Sequence, residues 1–84
     1  MKKEKYTTMV KNVFDSMNLT KYYQYPNEII DMDSLTMIQL VLNLESAFNF
    51  EFDLDELDFN NFKSFNKIIA VIVNKGIKNE KRFN

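Results

Sequence analysis

Apolar residues recur at spacings of three and four in three stretches of the chain, and each stretch predicts an amphipathic helix. Tyr6, Met9, Val10, Val13, Phe14 and Met17 form one stripe of a first helix over about residues 4 to 18. Met37, Leu40, Val41, Leu44 and Phe48 form the core stripe of a second, over about residues 34 to 48. Phe65, Ile68, Ile69 and Ile72 form that of the last, with Ser64 as its N-cap and Gly76 as its terminator. Residues 18 to 33 hold the only proline, Pro26, and the cluster Tyr22, Tyr23 and Tyr25, with no sustained period, and read as a long loop. Phe48, Phe50, Phe52 and Leu54 alternate with polar residues, as a strand would. No other segment alternates in this way, and a strand without a mate leaves its backbone groups unpaired. The segment is therefore read as extended chain leading to a short helix near residues 55 to 61. The expected fold is all-α, three main helices and one short one around a single core. One domain spans residues 1 to 84, with its core at about 4 to 77 and a frayed tail at 78 to 84.

The second helix is apolar on two sides. At 100° per residue, Leu35, Ile38 and Leu42 fall nearly opposite the core stripe, interleaved with Gln39, Glu45 and Ser46. Either the long loop covers this second stripe, or it is an exposed patch awaiting a partner. The tyrosines offer a similar choice, between a stacking platform for bases and a cover closing the bundle. No basic groove accompanies them, which favours the cover.

Composition narrows the chemistry. The chain has no cysteine, hence no disulfide, thiolate nucleophile or sulfur metal site, which fits a reducing compartment. Without histidine it also lacks the commonest general base, so an autonomous enzyme is not expected. Paired carboxylates such as Asp53 with Asp55 lack any accompanying pocket signal. A net charge of -1 removes any general attraction to nucleic acid. Lys2, Lys3 and Lys5 at the start and Lys75, Lys78, Lys81 and Arg82 at the finish read as solvated, partly frayed ends. Apolar runs fall well short of the ~18 residues of a membrane span, so a soluble, intracellular chain without membrane insertion is expected.

Ser34 stands where the polar loop gives way to the second helix, so its hydroxyl sits at the helix's electropositive end. A phosphate ester there would be stabilised. The stretch Met32-Asp33-Ser34-Leu35-Thr36-Met37-Ile38-Gln39-Leu40-Val41 resembles the attachment motif of acyl carrier proteins in its Asp-Ser-Leu triplet and its apolar pattern. The order of elements is similar to that family over nearly the whole chain. Residues 56 to 68 look most like D-alanyl carriers and related aminoacyl or peptidyl carriers, with an acid-apolar-Asp start at Glu56-Leu57-Asp58, an aromatic at Phe62 and Ser64-Phe65-Asn66-Lys67-Ile68 leading into the last helix.

The resemblance implies a small four-helix bundle bearing 4'-phosphopantetheine on Ser34, donated by coenzyme A through a phosphopantetheinyl transferase. Asp33 is implied to position that transferase or its Mg²⁺, a role compatible with a plain N-cap. An adenylating ligase or acyltransferase would load the arm, and downstream acyl- or aminoacyl-transferring enzymes would unload it. Leu35, Ile38, Gln39, Leu42 and Glu45 would form the partner-binding face of a cytoplasmic monomer that is itself no enzyme. Two departures stand out. Fatty-acid carriers have a strongly acidic second helix, whereas here only Asp33 and Glu45 remain, with Thr36, Gln39, Ser46 and Ala47 in place of acids. Recognition would then rest on Leu35, Ile38 and Leu42 more than on charge, and cargo would be aminoacyl or peptidyl more than fatty acyl. Asp31 occupies a position that is glycine in many family members. The competing reading is a small helical adaptor that uses the same apolar stripe and never carries an arm.

Overall fold

In the computed structural model, which describes residues 2 to 82 and the side chains of residues 3 to 76, every regular element is helical. Helix α1 spans Lys2–Ser16, α2 Thr20–Gln24, α3 Ser34–Phe48 and α4 Phe65–Arg82, with a 3-10 turn at Phe59–Phe62 ahead of α4. Helix α1 packs on α2, α3 and α4, and the 3-10 turn packs on α4. The three expected stripes meet in one core: Val10, Val13 and Phe14 from α1, Leu40 and Leu44 from α3, Phe65, Ile68, Ile69 and Ile72 from α4. Met37, Val41 and Phe48 pack against it, partly buried.

Two helices end on asparagine. Asn18 and Asn49 both adopt the left-handed conformation, with φ of 59° and 56°. Asparagine tolerates that region better than most side chains, which suits a chain with a single glycine. Beyond Asn18, the Leu19 N–H donates back to Phe14 O at 2.8 Å, so α1 stops two residues before its apolar stripe suggests. That glycine, Gly76, does not terminate α4, which continues to Arg82. A Cβ at residue 76 would lie 2.6 Å from Tyr6 Cζ, and close packing between α1 and α4 is the reason no larger side chain stands there. Ser64 does cap α4, its Oγ accepting from the Lys67 N–H at 3.2 Å. The tail expected at 78 to 84 is helical to Arg82, and its last two positions lie outside the described residues.

Local chemistry relocates other elements. Asp58 Oδ1 accepts from the Asn60 N–H at 2.9 Å and so starts the 3-10 turn at Phe59–Phe62, where a short helix at 55 to 61 is expected. Phe48 closes α3 and Asn49 turns left-handed, and residues 50 to 53 carry no regular structure and pair with no strand among the described residues. The alternation instead builds an aromatic ladder: Phe48 on Phe50, Phe50 on Phe52 and Phe52 on Phe62, with centroids 5.6, 5.0 and 5.5 Å apart. The loop of residues 18 to 33 contains α2, which turns Tyr22 into the core and lays Tyr23 against Phe65, closing the bundle, while Tyr25 stays exposed. Lys75 is not a solvated terminal lysine: it is 7% exposed and held by Glu56.

Candidate functional site

The site begins at Asp33, whose extended backbone and capping carboxylate start α3. Its Oδ1 accepts from the Thr36 N–H at 2.8 Å, and its carbonyl takes the first helical bond, from the Met37 N–H at 3.0 Å. The bond from the Thr36 N–H holds the Asp33 carboxyl below its ordinary pKa. With those donors used, the N–H groups of Ser34 and Leu35 find no partner among the described residues. Ser34 is the first residue of the helix and is exposed, so its hydroxyl stands in solvent beside two free amides at the positive end of a 15-residue helix.

The second stripe of α3 is bare. Leu35, Ile38 and Leu42 are 63%, 55% and 57% exposed, and the loop does not cover them. Leu42 forms a ridge between two depressions. On one side lies an apolar cleft of about 390 Å³, lined by Met37, Ile38, Val41, Leu42, Glu45 and Leu57. On the other lies a more polar groove of about 480 Å³ shared with the end of α1, lined by Ser16, Met17, Thr36, Gln39, Leu42 and Asn43. Gln39 therefore faces the groove and Ile38 the cleft. Glu45 is half-buried, with its Oε2 accepting from the Phe52 N–H at 2.9 Å, so much of its charge serves the chain turning out of α3.

Several neighbours of this face escape periodicity arguments. Leu57 supplies the far wall of the cleft, and Leu54 and Phe59 lie exposed on the same irregular segment. From Tyr22 to Phe62 the chain carries Glu28, Asp31, Asp33, Glu45, Glu51, Asp53, Asp55, Glu56 and Asp58 and neither lysine nor arginine, so the whole serine-bearing segment is acidic. Of the two carboxylates Asp53 and Asp55, the first lies 3.5 Å from Lys75 and the second is exposed. No cluster among the described residues has the ligand set of a metal site, and no helix among them is long and apolar enough to cross a membrane.

The model of the phosphopantetheine attachment site family matches residues 30 to 72, just over half of the chain, and the protein belongs to that family. It is a carrier domain whose prosthetic group is 4'-phosphopantetheine, a class served in general by phosphopantetheinyl transferases and acyl-handling enzymes. Comparisons with curated proteins and with solved structures return no match.

Proposed function

We propose that Ser34 carries the arm and that the protein delivers an acyl, aminoacyl or peptidyl group held as a thioester, with aminoacyl or peptidyl cargo preferred over fatty acyl. The observation that carries this reading is the exposed Ser34 hydroxyl beside the unpartnered N–H groups of Ser34 and Leu35. These features fit the group, since a phosphodiester on Oγ would share its negative charge with amides that have no other acceptor and with the helix dipole.

No residue of this chain need act as a base. A base on the transferase takes the Ser34 proton, and the oxygen forms a new P–O bond at coenzyme A's pyrophosphate as the P–O bond to the nucleotide half breaks. Asp33 contributes by capping α3, which fixes the direction of Ser34, and in this reading it also helps seat the transferase or its Mg²⁺. When bound, the arm supplies a terminal thiol on a long tether, which raises the effective concentration of cargo at each docked enzyme.

The preference for aminoacyl or peptidyl loading draws on the likeness of residues 56 to 68 to such carriers, and on the near absence of free charge on the exposed face of α3, where Glu45 is engaged with Phe52. Docking through Leu35, Ile38, Gln39 and Leu42 would be mainly apolar and short-lived, as suits a carrier that visits several enzymes. Incubation with coenzyme A, Mg²⁺ and a broad-specificity transferase, read by intact mass, is expected to add one arm to the wild type and none to Ser34→Ala. An unmodified wild type would favour the adaptor reading. A panel of amino and fatty acids with candidate ligases then tests the cargo.

A further inference from the structure

We infer that Tyr22 is a positioning residue for the modification of Ser34, acting through the backbone of Asp31; the inference rests on the attachment reading above. The loop ahead of α3 is strapped at three places. Asn66 holds its start, its N–H donating to Pro26 O at 3.0 Å and its side-chain amide to Asn27 Oδ1 at 2.6 Å. The Ile30 N–H donates to Lys63 O at 2.6 Å. The last strap before the serine is Tyr22, whose hydroxyl donates to Asp31 O at 3.4 Å and accepts from the Asp31 N–H at 3.3 Å.

Each of these two contacts is long and weak alone. They act, however, on backbone that nothing else holds: among the described residues no other group bonds the N–H or C=O of Asp31 or Met32. The ring of Tyr22 is buried, and phenylalanine would bury as well, so the hydroxyl adds nothing that the core requires. Its two bonds hold both peptide units that flank Asp31, three residues before Ser34. With the clasp made, the segment reaching Ser34 is already ordered when the transferase arrives. Without it, the transferase must order that segment on binding, which weakens association and leaves the chemical step alone.

The test is steady-state phosphopantetheinylation of wild type, Tyr22→Phe and Ile72→Val, the last a core truncation on α4 at a residue that makes none of the three straps. Tyr22→Phe is expected to raise the KM for the carrier about 2- to 12-fold, the equivalent of one hydrogen bond's net contribution, with kcat kept. Ile72→Val is expected to leave KM at the wild-type value. An unchanged KM in Tyr22→Phe, or an equal rise in Ile72→Val, would overturn the positioning role while the wild type remained a substrate. An unmodified wild type would instead overturn the attachment reading itself. Amide exchange in the wild type needs no variant: the Asp31 N–H is expected to exchange more slowly than the Ser34 N–H, and equal rates would remove the clasp.

Discussion

Lys75 Nζ lies 2.9 Å from Glu56 Oε1, with both side chains largely buried, and this pair ties the irregular segment after the aromatic ladder to α4. The same Glu56 oxygen accepts from the Asp53 N–H at 2.7 Å, and the Glu56 carbonyl accepts from Asn61 Nδ2 at 3.0 Å. Glu56 thus fixes the backbone that presents Leu57 to the apolar cleft, and the Lys75 ammonium also stands over the Phe50 ring at 5.7 Å. Removing Glu56 leaves the buried Lys75 ammonium with only the longer contact to the exposed Asp53 carboxylate, at 3.5 Å. Glu56→Ala is expected to cost about 3–5 kcal/mol by urea unfolding, and Lys75→Met combined with Glu56→Leu to recover much of that loss.

The pair also sets a pH dependence. Burial by itself would lower the Lys75 pKa, but the hydrogen bond and charge of Glu56, with the charge of Asp53, outweigh it and raise the pKa above the ordinary value. A raised folded-state pKa contributes stability that is complete below the unfolded lysine value, about 10.4, and is lost as pH climbs through the folded value. Wild type is therefore expected to lose more stability than Lys75→Met as pH rises above the unfolded lysine value. Parallel curves for the two would contradict it.

Gly76 is expected to resist improvement. In an exposed helix, glycine to alanine gains about 1 kcal/mol, but here the added carbon meets the ring of Tyr6, which also packs edge-on against Phe48 at 5.8 Å. Gly76→Ala should give no gain in wild type and about 1 kcal/mol in a Tyr6→Ala background, read as a double-mutant cycle.

Two leucines two residues apart should behave oppositely. Leu42 is exposed and Leu44 fully buried. Leu42→Asp is expected to keep the helical circular dichroism and melting temperature while weakening use of the carrier by partner enzymes. Leu44→Ala should lose about 2–5 kcal/mol as a core truncation, enough to unfold much of so small a domain. Loss of helical signal in Leu42→Asp would mean the faces are assigned wrongly.

Asp33 can be separated into its two roles. Asparagine caps a helix as well as aspartate does, so Asp33→Asn should preserve stability at neutral pH, and a fall in phosphopantetheinylation would isolate the role toward the transferase. Because the Thr36 N–H lowers the folded-state pKa, the ionised cap's contribution is present above the unfolded aspartate value, about 3.9, and is lost as pH falls through the folded value. An NMR titration of the Asp33 carboxyl should show a midpoint below that of an unstructured aspartate.

Much of the fold was legible because amphipathic period is a local property. Val10, Phe14, Leu40, Leu44, Ile68 and Ile72 are buried where spacing alone puts them, and α3 spans the very residues its pattern marks. The place of Ser34 as the first residue of α3 was legible for the same reason: the start of a helix is written in its cap and its first apolar turn. The irregular segments were not. The helix within the tyrosine loop has no side-chain cap, the 3-10 turn has only that of Asp58, and both are too short to show a period.

The sequence by itself determined an all-helical chain, its three stripes, the cap at Asp33 and the position of Ser34, because each follows from neighbours within a turn or two. Only the tertiary structure decided that Leu35, Ile38 and Leu42 lie bare beside a cleft walled by Leu57, that Lys75 is buried on Glu56, that Gly76 serves Tyr6 rather than a helix end, and that Tyr22 reaches Asp31. Those relations join segments remote in sequence or lying in irregular chain. They arise from how helices crowd one another, a quantity that period and composition do not encode.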